Sequence, residues 1–262
     1  MTSLDLPIGY VPLRGRWGSY AWHDAVHAIE EHLLDGAGIV PTRVERTAPE
    51  ENAHTAPLHG GRGPVHVVPA PGPGPTSAER WAIRHYRRGG AMAGALVDRY
   101  LRVGRARPVR ELGASVVARE RAVRTPAIVA GVCSSDGAFY RCDLVTEFVP
   151  DATPLSAVLT PGAAIDSVST ALVAAGGLIR ALGDARVHHV DFHAGNILIP
   201  RDPREAAWVL DLDRARILER DSAASARRMK ERLVRSIAKS LGQELPMTVA
   251  QVHATIDSGL RS

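Results

Sequence analysis

Val187 to Pro200 reads VHHVDFHAGNILIP. Asp191 and Asn196 stand five residues apart in it, and Asp211 follows after a short connection, within VLDLD. Phosphoryl transfer uses this set of groups. One carboxylate orients and deprotonates an attacking hydroxyl. A carboxamide and a second carboxylate hold Mg2+ against the phosphates of a nucleotide. The order H-x-D-x-x-x-x-N is present as HVDFHAGN. It assigns Asp191 as the base, and Asn196 and Asp211 as metal ligands. Hard oxygen donors suit Mg2+, which keeps several waters and takes few protein groups.

The neighbouring histidines have other readings. HH followed by DFH resembles a zinc site, but no further strong ligand stands at regular spacing. His189 reads as a packed loop histidine bonded to backbone, and His188 as exposed. His193 either contacts substrate or shapes the loop. Asp213 reads as structural, paired with Arg214 or Arg216, with a second Mg2+ as its alternative.

A base and two metal ligands still need a phosphate clamp. In protein kinases a strand reading V-A-I-K supplies a lysine that pairs with a helix glutamate. Here WAIR places Arg84 in the lysine position. Arginine is a planar, always-charged fork, so the exchange changes the geometry offered to phosphate. Glu111 is the natural partner, with Glu120 in reserve; the alternative is a surface arginine on an edge strand. GGRG ahead of VHVV puts Gly61 and Gly63 where a short loop can approach phosphates closely, because glycine carries no Cβ. LVTEFVPDATPL reads as a hinge, with backbone groups of Glu147 and Val149 facing adenine.

The elements that position these groups follow from periodicity and turn residues. Ala21–Leu34 has Val26, Ile29 and Leu33 at helical spacing. VHVV and RWAIRHY read as two strands of a hairpin across a Pro/Gly loop. Ala91–Gly104 and Pro108–Val123 read as helices, the second with proline near its start. RTPAIVAGVCS and AFYRCDLVTEFV read as two strands around SDG. DATPLSAVLT is an exit loop with a short helix, and Ser167–Leu182 a helix ending at Gly183. ILIPRDPREAAWVL can form two short strands that fold Asp211 back beside Asn196. Ala224–Gly242 has Met229, Leu233, Ile237 and Leu241 on one face and basic residues elsewhere, an amphipathic basic helix. The fold class is therefore α+β, divided as an N-terminal extension with a short helix (1–55), a strand-rich lobe (56–149) and a helical lobe carrying the catalytic loop (150–262).

Composition sets outer limits. A chain of 262 residues, 45% hydrophobic and 23% charged, can bury a real core. Its formal charge is +4. From Arg84 to Arg124 eleven arginines face three acids, so that segment holds more positive charge than the whole chain. Such a surface suits phosphates or anionic lipid, or is a solvated helix face. A nucleic-acid partner is not expected, since aromatics are not interleaved with the basic residues and no binding motif is present. Cys133 and Cys142 are the only cysteines, and with no signal-peptide pattern they read as core thiols in a reducing compartment. The most apolar helical segment, Thr170–Gly183, contains Arg180 and reads as too short to span a bilayer.

GRG, IRHYRRGG, DLVTEFVPDATPL, VHHVDFHAGNILI and VLDLDRARI together resemble the 3-deoxy-D-manno-octulosonic acid (Kdo) kinase family. This is the lipopolysaccharide kinase group of the protein-kinase-like superfamily. The resemblance runs from Gly60 to Leu241, and RHYRRGG is its most specific element. It implies a two-lobed, protein-kinase-like fold with a reduced helical C-lobe. It implies ATP and Mg2+ as cofactors, Asp191 as base, Asn196 and Asp211 on Mg2+, and Arg84 near the ATP phosphates. The acceptor would be a Kdo hydroxyl on a lipid A precursor. The enzyme would sit peripherally on the anionic cytoplasmic face of the bacterial inner membrane, drawn there by its arginines. No activation segment or A-P-E motif follows Asp213, which argues against a protein substrate. The loop form D-x-H-x-G-N also fits kinases of soluble small molecules such as aminoglycosides. Arginine in place of the strand lysine fits a kinase-like binding module.

Overall fold

The structure is a computed structural model that describes residues 5–35, 38–39, 65–87, 98–220, 223–241 and 246–261. The chain divides into two compact units. One is Met1–Gly113 with Pro126–Phe148, and the other Ala114–Thr125 with Val149–Ser262. These limits differ from the sequence division at 55 and 149. The first 55 residues contribute strands to the first unit's sheet, and Ala114–Thr125 belong to the second unit.

The first unit is strand-rich. In chain order its strands are β1 (Tyr10–Pro12), β2 (Tyr20–Trp22), β3 (Val65–Pro69), β4 (Arg80–His85), β5 (Tyr100–Leu101), β6 (Ile128–Asp136) and β7 (Phe139–Glu147). They form one seven-stranded sheet in the order β1-β2-β6-β7-β4-β3, with β5 also on β7. Every pairing is antiparallel. The β6–β7 hairpin turns at Gly137, whose φ of +59° is the left-handed value that a two-residue hairpin loop demands at its first position. Cys133 and Cys142 lie opposite each other across it, buried and as free thiols. One face of the sheet buries Trp81, Ile83, Val129, Val132 and Val145 against Ile29 and Leu33. Those two come from a helical segment made of a 3-10 turn (His23–Ala25), α1 (Val26–Ala28) and a π turn (Ile29–Leu33). The expected helix over Ala91–Gly104 does not extend to Tyr100 and Leu101, which pair in β5 with Tyr140 and Phe139; residues 91–97 lie outside the described ones. α2 (Arg107–Glu120) carries Pro108 in its first turn, where the missing N–H has no helical partner to lose.

The second unit is mainly helical. It contains β8 (Ala152–Pro154), α3 (Leu155–Val158), α4 (Ile165–Asp184), β9 (Val187–His188), a 3-10 turn (Ala194–Asn196), β10 (Ile197–Pro200), β11 (Trp208–Val209), β12 (Arg216–Ile217), α5 (Ala223–Leu241) and α6 (Val249–Arg261). α4 has 20 residues, long and apolar enough by length and composition to cross a membrane, contrary to the shorter span read from sequence. Its Val168, Leu172, Ile179 and Leu182 are core residues, packed with Met229, Leu233 and Ile237 of α5 and Val252 and Ile256 of α6. Gly183 does not end α4. The helix runs on to Asp184, and Arg186 adopts φ +55° and donates its N–H to the Gly183 carbonyl at 2.8 Å.

Candidate active site

The catalytic-loop residues meet at the open end of a hairpin. β10 and β11 pair antiparallel with Ile197 opposite Val209. One step beyond, the Leu210 N–H donates to the Asn196 carbonyl at 2.9 Å. The sequence between them is polar and turn-rich, so the chain doubles back and sets Asp211 one residue past that bond. The predicted return of Asp211 to Asn196 is what the strands do.

Three further bonds shape the loop. Asn196 is fully buried and its Nδ2 donates to the Asp191 carbonyl at 2.9 Å. That orientation makes the carboxamide oxygen the end able to meet a cation. His189, 2% exposed, donates from Nε2 to the Leu210 carbonyl at 3.0 Å and stands edge-on to the buried Phe192. It ties the loop to the strand before Asp211, the packed role read from sequence. His193 Nδ1 accepts from the Gly195 N–H at 3.0 Å, so this ring shapes the turn. His188 contacts Ser225 Oγ at 2.7 Å; burial first, then the Arg228 and Arg216 charges, hold its imidazole below the usual pKa. Asp213 is buried, 7% exposed.

Asp211 has φ +63°. An aspartate tolerates the left-handed region better than most residues, but the conformation still costs energy, and such outliers gather at functional sites. The Asp191 carboxylate meets Arg232 of α5, with Nε 3.1 Å from Oδ1 and Nη2 on the same oxygen. Sequence reasoning counted Arg232 only as one of several surface cations. No spacing rule says which loop a helix will pack beside.

In the first unit, Arg84 on β4 donates from Nη2 to both carboxylate oxygens of Glu111 at 3.1 Å. The pair is largely withdrawn from water, with 18% of the Arg84 side chain exposed and 5% of Glu111. Glu111, not Glu120, is therefore the partner. The Tyr86 hydroxyl also donates to Glu111. Burial first, then the Glu111 charge, push that phenol well above its usual pKa, while the Arg84 cation pulls it down. The phenol remains a donor, so Glu111 stays anchored from both sides.

Glu147 has a side-chain job beyond the backbone one read in the sequence. Its N–H already donates to the Ala127 carbonyl at 2.8 Å, so that group does not face adenine. Its buried carboxylate accepts from the Thr76 N–H at 2.7 Å and from the Thr76 hydroxyl. It thereby holds the Pro/Gly loop between β3 and β4. Val149 lines a groove of about 500 Å3 with Arg124, Asp151, Arg201 and Trp208. Gly61 and Gly63 lie outside the described residues.

The donor set fits Mg2+. Asn196 and Asp211 carry a carboxamide and a carboxylate oxygen, the hard ligands this ion takes alongside water and phosphate, and the hairpin sets the Asp211 backbone one residue past the hydrogen bond that the Asn196 carbonyl accepts. Among the described residues no group of three or more His, Cys, Asp or Glu is placed to hold a metal ion.

Comparison with known proteins decides the family. A family model described as "Lipopolysaccharide kinase (Kdo/WaaP) family" matches residues 74–257, more than half of the chain. The chain belongs to that family. Similar proteins include the 3-deoxy-D-manno-octulosonic acid kinases of Vibrio cholerae serotype O1 and Photobacterium profundum. The first is 31% identical over 60% of this chain and 67% of its own length. The second is 33% identical over 62% of this chain and 66% of its own length. The chain thus spans about two thirds of these curated relatives. Two solved structures are also similar in outline. "WaaP in complex with acyl carrier protein" has 18% identity and a TM-score of 0.46, covering 78% of this chain and 76% of that one. "ROP18 kinase domain in complex with AMP-PNP and sucrose" has 14% identity and a TM-score of 0.44, covering 77% of this chain and 70% of that one. Membership of the lipopolysaccharide kinase family makes this chain a phosphotransferase, and its strands and helices make the fold α+β.

Proposed function

We propose that this protein is an ATP-dependent kinase that phosphorylates a hydroxyl of Kdo, or a related inner-core sugar, on a lipid A precursor. The observation that carries the reading is the hairpin that brings Asp191, Asn196 and Asp211 to one corner, within a chain of the lipopolysaccharide kinase family. The named activity of the curated relatives supports the sugar.

Asp191 takes the proton from the acceptor hydroxyl as its oxygen bonds to the γ-phosphorus. The bond from that phosphorus to the β–γ bridging oxygen breaks, ADP leaves, and Asp191 then gives its proton to water. Asn196 and Asp211 hold Mg2+, which when bound neutralises phosphate charge. Arg84, positioned by Glu111, offers a fixed cation to the nucleotide phosphates. The enzyme acts from the cytoplasmic face of the bacterial inner membrane without crossing it. Exposed Arg227, Arg228, Arg232 and Arg235 of α5 contribute attraction to anionic lipid, about 1 kcal/mol for each cation near the surface.

The test is ATP consumption by the purified protein with Kdo–lipid A. Turnover that needs both Mg2+ and this acceptor supports the reading. Turnover with soluble sugars or aminoglycosides but not Kdo–lipid A overturns the acceptor. No turnover with any of them, while nucleotide still binds, makes the chain a kinase-like binding module.

A further inference from the structure

Arg232 approaches Asp191 in an uneven way. Nε and Nη2 both converge on Oδ1, so the guanidinium fork holds one carboxylate oxygen instead of matching two. A planar fork pairs better with a carboxylate that presents both oxygens. The Arg232 side chain is 46% exposed and that of Asp191 31%, so a third group from solution can reach both. The pairing also stands in the way of catalysis, because the guanidinium occupies Oδ1, an oxygen that a hydroxyl proton would need.

An acceptor that carries its own carboxylate resolves both points. A carboxylate that takes the fork over from Asp191 sits about 3 Å from the guanidinium nitrogens, beside the base. The acid group must therefore lie a few bonds from the reacting hydroxyl, as it does in a sugar acid and does not in a neutral sugar. Arg228, Arg235 and Lys239 are exposed at i−4, i+3 and i+7 from Arg232, so the same face of α5 presents cations to the rest of a polyanionic acceptor.

We propose that Arg232 is a specificity-determining residue that binds the carboxylate of the acceptor sugar acid, and by leaving Asp191 Oδ1 lets that oxygen take the hydroxyl proton. The proposal rests on the Kdo reading above. In the absence of acceptor the same guanidinium holds Asp191 in place.

The experiment compares kcat/KM on Kdo–lipid A with that on the same acceptor whose Kdo carboxylate is converted to the primary amide. Wild type is expected to lose about 10- to 100-fold on the amide, the range for a hydrogen bond to a charged group. R232Q is expected to use both acceptors at similar, lowered rates. R232K should show a smaller preference than wild type, because ammonium is a point donor. The preference is a ratio within one protein, so a reduced folded fraction cancels. If R232Q keeps the wild-type preference, Arg232 does not read the carboxylate, and the Kdo reading survives without it. If R232Q is inactive on both acceptors, R232K decides, and an undiminished preference in R232K overturns the proposal. If wild type uses neither acceptor but phosphorylates a neutral soluble sugar, the Kdo reading and the proposal fall together.

Discussion

Asp191 and Asp211 are both carboxylates in one loop system, yet their surroundings differ, and the proposed mechanism gives them different work. Asp191 is part-exposed, and its backbone carbonyl and its carboxylate are both engaged, by Asn196 and Arg232. Asp191→Ala is expected to lower kcat by about 10²- to 10⁴-fold, the usual contribution of a positioned acid–base group. Wild-type turnover in that variant would remove Asp191 from the base role. Asp211 stands in the left-handed region at φ +63°. Asparagine is also at ease there, so Asp211→Asn should melt near wild type while needing much more Mg2+ for turnover. An unchanged Mg2+ dependence would refute its role as ligand. The residue types and spacing of Asp191, Asn196 and Asp211 were readable in the chain. So was the Arg84–Glu111 pair, because a strand cation and a helix carboxylate in kinase order imply each other. Arg232 was not readable, since its partner lies 41 residues away on another element.

Elements meet in two places where a small change has a clear cost. α4 and α6 cross with Gly176 against the Ile256 carbonyl and Gly259 against the Val173 carbonyl, with no room for a Cβ at either glycine. Gly176→Ala or Gly259→Ala forces backbone apart, so each should destabilise by about 1–3 kcal/mol despite alanine's better helix propensity. A melting temperature equal to wild type would show that the helices can separate freely. β4 and β7 are tied by His85, whose Nδ1 lies 2.7 Å from Asp143 and Nε2 3.4 Å from Asp98, itself paired with Arg141. The hydrogen bond to Asp143 raises the His85 pKa, and burial opposes it. The folded value therefore lies above the unfolded one, near 6.5. Folded His85 keeps its proton while unfolded His85 releases it. Its contribution is thus complete below about pH 6.5 and is lost as pH rises through the folded value. His85→Gln should lack that slope, so the stability gap between the two proteins should narrow as pH rises above about 6.5. Parallel pH profiles would exclude the tie.

The whole chain joins a basic surface to a family that acts on lipopolysaccharide. Liposome sedimentation should show binding that rises with the anionic lipid fraction and falls with salt, since screening at 0.5 M shortens the reach of charge to about 4 Å. Binding indifferent to both would remove the peripheral-membrane reading. The same charges also serve inside the protein. Arg99 pairs with Asp136, Arg124 with Glu205, and Lys230 with Asp257, so a count of cations overstates what a membrane meets. The two units differ from the division read in the sequence for a related reason. β1 and β2 are three residues each, too short for alternation to show, and they join the sheet through β6, more than 100 residues later.

Reaction type was determined by local order alone: H-x-D-x-x-x-x-N, a turn-rich return and a following aspartate form one hairpin, and short-range pairing needs no distant partner to be inferred. Helix faces, the β3–β4 and β6–β7 hairpins and the buried thiols were legible for the same reason. Tertiary structure alone decided that Glu147 anchors a loop, that the N-terminal strands complete the sheet, and that Arg232 reaches Asp191. Each of these depends on which surfaces pack together, and packing is set by shape and burial summed over many residues, which no single spacing encodes.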